Sequence, residues 1–187
     1  MFVGAAVYSS CFSKVIRINT FASIFTAELY GVMMALDYII HNKTRKAIIF
    51  VDSQSVVKAV CSVVSTNNKL ILSVRVKVQQ CLQDGQDIRF CWIPSHVGIA
   101  GNEAADRLAA SSQNLPLSHV RIPHQDLKMP TRLALLRLWQ SEWDLEVNNK
   151  LHIIKPDLGT WEISYNQNRF HEVLLCRLRI GHTYLTT

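Results

Sequence analysis

The sequence predicts an α/β domain, a mixed sheet flanked by helices, with a helical C-terminal extension, and three observations carry that prediction. Apolar residues recur at helical steps over residues 26–42. A continuous apolar run, 47–51, follows directly and has the signature of a central strand covered on both faces. Between residues 88 and 110 come an alternating strand, a glycine-bearing loop and an alanine-rich helix.

Taken in order, residues 3–8 and 14–18 are two short strands separated by Ser9-Ser10-Cys11-Phe12-Ser13, a hairpin without a sharp turn signature. In the helix that follows, Leu29, Val32, Met33, Leu36, Ile39 and Ile40 define one buried stripe, with Glu28 at its N-terminal edge. A carboxylate there favours the helix dipole, so Glu28 taken alone is an ordinary helix residue. Asp52 closes the strand 47–51. Ligand sites in open α/β sheets collect at the carboxyl ends of strands, which suits this acid to chemistry, while Asp52-Ser53 equally suits a helix cap. Residues 55–64 and 70–82 read as helices around the loop Ser65-Thr66-Asn67-Asn68, the second with Leu70, Val74, Val78, Cys81 and Leu82 on one side. After the turn Asp84-Gly85-Gln86-Asp87, residues Ile88, Phe90 and Trp92 alternate with Arg89 and Cys91 as a strand ending at Pro94. His96 lies in the loop with Gly98, and a helix opens near Gly101 or Asn102 with Asp106 inside its second turn. Its small residues Ala104, Ala105, Ala109 and Ala110 allow close packing, which would deliver Asp106 to a sheet edge.

The run Trp92-Ile93-Pro94-Ser95-His96-Val97-Gly98-Ile99-Ala100-Gly101-Asn102-Glu103-Ala104-Ala105-Asp106 resembles type 1 ribonuclease H, most closely the ribonuclease H domains of non-LTR retrotransposon polyproteins. Phe25-Thr26-Ala27-Glu28-Leu29 and Ile48-Ile49-Phe50-Val51-Asp52-Ser53-Gln54-Ser55 agree in order and spacing. The resemblance implies a ribonuclease H-like mixed five-stranded sheet over residues 1–113. A change of composition, with His119, Pro123, His124 and Pro130, marks a linker at 114–130, and 131–187 reads as a helical extension. In that extension Leu133, Leu136, Trp139, Trp143 and Val147 suggest one amphipathic helix and residues 170–180 another. The segment 175–185 is similar to an Arg-Leu-Arg-x-Gly-His segment found downstream in the same retroelements.

What the resemblance implies is two-metal hydrolysis of the RNA strand of an RNA/DNA hybrid. Such chemistry needs a nucleophilic water, a stabilised phosphorane and a neutralised leaving oxygen, and paired Mg²⁺ ions supply all three. Mg²⁺ takes hard oxygen ligands, so Glu28, Asp52 and Asp106 are the expected ligands, with Mn²⁺ as a substitute metal. His96 would assist proton transfer or product departure from its loop. Glu103 would help product release or is simply a solvated helix residue. Gln54 would read the hybrid's minor groove, where a 2′-hydroxyl tells RNA from DNA. The reverse transcriptase portion of a parent polyprotein is the implied protein partner.

The family's site has a fourth carboxylate, in an Asp-Gly-Ser run on a central first strand, and Met1 begins beyond it. The expectation is therefore a divided sheet, with 47–51 short of a neighbour and the chain as written inactive. The alternative is a noncatalytic nucleic-acid-binding remnant of a retroelement, using Lys43, Arg45 and Lys46. A formal charge of +6 and a pI of about 9.2 favour an anionic partner. Residues 1–117 hold eleven Lys and Arg against seven Asp and Glu, and three of those seven are the proposed ligands, so the surface away from the site is more basic than the total suggests. Five widely spaced cysteines without a Cys-x-x-Cys pair argue for a reducing, intracellular setting rather than a disulfide framework or thiolate zinc site. No uncharged apolar stretch reaches membrane-spanning length, so the expectation is a soluble protein with no membrane partner. His119, His124, His152, His171 and His182 show no paired metal spacing.

Overall fold

The structure is a computed structural model that describes residues 2–159, 168–179 and 181. Met1, residues 160–167, residue 180 and everything from His182 onward lie outside the described residues, and with them part of the 175–185 segment. The chain divides into two compact units, Met1–Lys128 and Met129–Thr187.

In the first unit, β1 (Val3–Tyr8) and β2 (Ser13–Ile18) pair antiparallel, with Val3 opposite Ile18 and Tyr8 opposite Ser13. The hairpin is closed where the Ser9 N–H donates to the Phe12 carbonyl at 2.7 Å. Then come α1 (Ile24–His41), β3 (Lys46–Val51), α2 (Gln54–Cys61), α3 (Lys69–Gln83) and β4 (Asp87–Trp92). β3 and β4 pair parallel, Lys46 opposite Asp87 through Val51 opposite Trp92, and α2 and α3 form the crossover that parallel pairing requires. α4 (Ala100–Ser111) runs into a 3-10 turn at Ser112–Asn114. The described strands thus make two two-stranded sheets, one antiparallel and one parallel, in a mixed α/β arrangement.

α1 is the element on which the unit is assembled. Ser23 caps it by accepting from the Thr26 N–H at 3.2 Å, and Asn42 with Lys43, at φ 50°, ends it. Leu29, Val32, Leu36 and Ile39 are buried as the stripe predicts, with Met33 and Ile40 packed partly against the core. The buried surface is wider than that stripe, taking in Thr26, Ala27, Tyr30, Met34 and Ala35, because α1 packs on β1, β3 and α3 together. It is the one described helix long and apolar enough to cross a membrane, and most of its apolar residues, though not Ile24, pack into or against this core.

Three expectations need correction. The strand β3 is not covered on both faces: Ile49 and Val51 are buried, while Ile48 is 56% and Phe50 60% exposed. Adjacent strand residues point to opposite faces, and only the Ile49–Val51 face packs into the core. On α3, Leu82 is exposed and Ile71 is buried in its stead, the packed face being rotated slightly toward the helix start. Pro130, expected in the linker, lies inside α5 (His124–Trp143), in its second turn, where it has no N–H to give to the Asp126 carbonyl and its ring crowds that carbonyl.

β1 and β3 both line one cavity of about 360 Å³, with Ala27, Gly31 and Ala35 of α1 and Ala105 and Ala109 of α4 around it. Small residues let the helices come this close. A Cβ on Gly31 would stand 2.9 Å from the Ala6 carbonyl oxygen, and one on Gly4 only 2.2 Å from that of Ala109. Gly4→Ala would therefore have to push α4 off β1. The expected loss is about 1–3 kcal/mol, read as a fall in Tm, because the obstacle is backbone and cannot rotate away.

The stretch after the 3-10 turn straps back over the same unit. The Arg17 guanidinium donates to the carbonyls of Gln113 and Leu115, the Ser118 N–H donates to the Arg17 carbonyl at 2.9 Å, and Val120 and Ile122 pack against the core. In the second unit the Trp143 indole donates to the Lys155 carbonyl at 2.8 Å, and Gln140 is bonded to Pro156 and Leu158, which folds α6 (Lys150–Ile154) back toward α5. α7 (Arg169–Arg179) follows.

Candidate active site

Three elements each contribute one carboxylate to the same cavity: Glu28 from the second turn of α1, Asp52 from the residue after β3, and Asp106 from the second turn of α4. Asp52 is held through its main chain. The Trp92 indole donates to its carbonyl at 2.9 Å, and the parallel ladder runs one residue on, with the Ile93 N–H donating to Val51 at 3.0 Å. Its side chain accepts from Asn102 Nδ2 at 3.3 Å. Asn102 lies four residues before Asp106 on α4, so the two share a helix face, and the same face meets the end of β3.

The electrostatics are those of three acids in one place. The Glu28 carboxyl is raised to about 7, first by burial and then by the negative charges of Asp52 and Asp106. Asp106 is also raised, first by burial and then by Asp52, with His96 acting the other way and Glu103 adding a smaller push upward. Its Oδ2 is buried with no hydrogen bond, and the nearest cationic candidate, His96 Nδ1, stands 3.5 Å away. Ligand atoms of His96, Glu103 and Asp106 lie within 4.8 Å of one another. Repulsion of this kind has no structural benefit, whereas a hard divalent cation would relieve it and would satisfy the orphaned oxygen. The donor set fits Mg²⁺ or Mn²⁺.

His96 is 79% exposed in its side chain and sits at φ 56°, with Gly98 at φ 81° two residues on. A non-glycine residue in the left-handed region is strained, and such positions are over-represented at functional loops. Gln54, the first residue of α2, is exposed two positions after Asp52; its Oε1 accepts from Lys58 Nζ at 3.2 Å, and it lies outside the cavity lining. The structure therefore brings Glu28, Asp52 and Asp106 together, sets His96 and Glu103 beside Asp106, and leaves Gln54 on the adjoining surface. Sequence reasoning missed Asn102. Its signal was a helical turn's spacing from Asp106.

A family model described as RNase H matches residues 2–114. Among solved structures, the chain is similar to the N-terminal RNase H domain of a Mycobacterium tuberculosis protein fused to maltose-binding protein, with 18% identity and a TM-score of 0.43 over 59% of this chain and 90% of that one. It is also similar to RNase H1 from the halophilic archaeon Halobacterium salinarum, with 24% identity and a TM-score of 0.45 over 59% of this chain and 83% of that one. Among curated proteins none matches the chain.

Proposed function

The chain belongs to the RNase H family, and from that premise we propose that its first unit hydrolyses the RNA strand of an RNA/DNA hybrid, with Glu28, Asp52 and Asp106 as the ligands of two divalent metal ions. The observation that carries the reading is the convergence of three mutually repelling carboxylates, from three separate elements, on one cavity. Bound there, Mg²⁺ or Mn²⁺ supplies Lewis-acid activation of water and of the scissile phosphate. The protein's part is positional: the Asn102 bond orients Asp52, and the main-chain anchor from Trp92 fixes where the strand tip ends. His96, exposed in its strained loop and close to Asp106, is suited to carry a proton at the departing product. Gln54 and Lys58 offer neighbouring hydrogen-bond and charge contacts to a nucleic acid at the rim, and Gln54 is our choice for the residue that senses the 2′-hydroxyl.

Retroelement descent and a reverse transcriptase partner are part of the same proposal, supported by the motif order and spacing, and an intracellular setting is supported by the five widely spaced cysteines without a Cys-x-x-Cys pair. A second reading, hybrid binding without cleavage, is favoured by two observations. β1 and β3 line the cavity without pairing to each other, and three rather than four carboxylates meet there among the described residues.

A hybrid labelled on either strand separates the two. Cleavage of the RNA strand alone, dependent on Mg²⁺ and stopped by EDTA, is the expected result. Salt-sensitive binding that is indifferent to EDTA, with neither strand cut, would establish the second reading. Within the first, His96→Gly is expected to slow turnover while leaving stability within about 1 kcal/mol of the wild type, since glycine relieves the positive φ as it removes the imidazole. Paired melting curves and initial rates check this.

A further inference from the structure

We propose that Asp126 is a positioning residue for the acid cluster: arriving from beyond the family-matched residues 2–114, it clamps the residue that starts α1 and so fixes the turn that carries Glu28, a role that rests on the metal-ligand reading of Glu28. The Ser23 N–H donates to Asp126 Oδ2 at 2.8 Å and the Ser23 hydroxyl donates to Oδ1 at 2.9 Å, across 103 positions of sequence. Both carboxylate oxygens are thus committed to one residue, in charge-assisted bonds that leave it little freedom. Ser23 is the cap of α1 and at the same time accepts from the Thr26 N–H, so the carboxylate, the cap and the first helical turn form one chain of hydrogen bonds.

The start of α1 needs such a clamp. The helix has no acid in its own first turn, so the favourable negative charge at its N-terminus is the one that Asp126 brings. Ile24, its first residue, is 80% exposed and contributes little packing there. Helix ends fray, and Glu28 lies only about 7.5 Å along the axis from Ser23. Asp126 is itself held, its N–H donating to the Pro123 carbonyl at 3.0 Å. A second tie lies on the other side of Glu28, where the buried Tyr30 hydroxyl donates to the Arg121 carbonyl at 2.6 Å. The strap therefore brackets the ligand, and only the Asp126 tie acts on the helix cap.

The full chain with Asp126→Ala, Asp126→Asn, Tyr30→Phe and Glu28→Gln provides the test, read by Mn²⁺ titration with electron paramagnetic resonance and by hydrogen exchange of the amides of residues 24–28. Asp126→Ala is expected to weaken Mn²⁺ binding several-fold, to no more than about tenfold, the lower end of what losing a direct partner of a metal ligand costs, because Asp126 acts through Ser23 rather than on Glu28 itself, and to speed exchange in that turn. Asp126→Asn, which keeps one acceptor for the two donors, should fall between it and the wild type. Tyr30→Phe should lower Tm while leaving both readouts unchanged. Wild-type Mn²⁺ binding in Asp126→Ala, or an equal loss in Tyr30→Phe, would overturn the positioning role. If Glu28→Gln binds Mn²⁺ as the wild type does, the metal-ligand reading fails and the positioning role with it, whereas faster exchange in Asp126→Ala alone would still assign the helix clamp to Asp126.

Discussion

Glu28→Gln is expected to stabilise the metal-free protein by about 3 kcal/mol at pH 8 and to change little near pH 4. The wild-type carboxyl is raised from 4.5 to about 7 in the folded state, by burial first and then by Asp52 and Asp106. Between those two values the folded protein holds a proton that the unfolded chain has released. The stability that Glu28 contributes is therefore complete below pH 4.5 and is lost as pH rises through 7. Glutamine has nearly the same shape and no charge to desolvate, so the difference between the two proteins should open across that window and level off above it. Denaturant unfolding in EDTA, repeated at several pH values, measures it. A difference that is flat with pH would mean that Glu28 is not held against the other two acids.

Asp52→Asn is expected to abolish metal-dependent cleavage, with a loss of about a thousandfold or more, while leaving the fold intact. Its bond from Trp92 goes to the main-chain carbonyl and survives the substitution, and an asparagine oxygen can still accept from Asn102. What disappears is the charge. That same loss removes a repulsion felt by both Glu28 and Asp106, so the metal-free variant should melt no lower than the wild type. Unfolding of Asp52→Asn, or retention of cleavage, would each count against the role assigned to it.

Much of this arrangement was legible in the sequence because its signals are local. The strand that ends at Trp92, the loop with His96 and the helix with Asp106 are contiguous, and their order survives folding almost unchanged. The stripe on α1 was equally legible, since helical periodicity records a buried face directly. β3 was different. An apolar run says that a strand is hydrophobic, but whether Ile48 and Phe50 are covered depends on elements remote in sequence, and here that face is open. The rotated face of α3 is a smaller instance, decided by which neighbour it meets. Asp126 had no local signal at all: an acid after proline and histidine in a polar stretch reveals nothing of a serine 103 residues earlier. The convergence of Glu28, Asp52 and Asp106 could be anticipated only through resemblance, since on its own Glu28 reads as an ordinary helix-dipole acid and Asp52 serves equally as a strand-end cap.

The most direct test of the central claim, that these three carboxylates are gathered to hold divalent cations, is thermal unfolding at pH 8 across a Mg²⁺ titration for the wild type, Glu28→Gln and Asp52→Asn. Specific binding to the folded state should raise the wild-type Tm with increasing Mg²⁺, and both variants, already relieved of repulsion, should respond far less. An equal response in all three proteins, or none in the wild type, would contradict it.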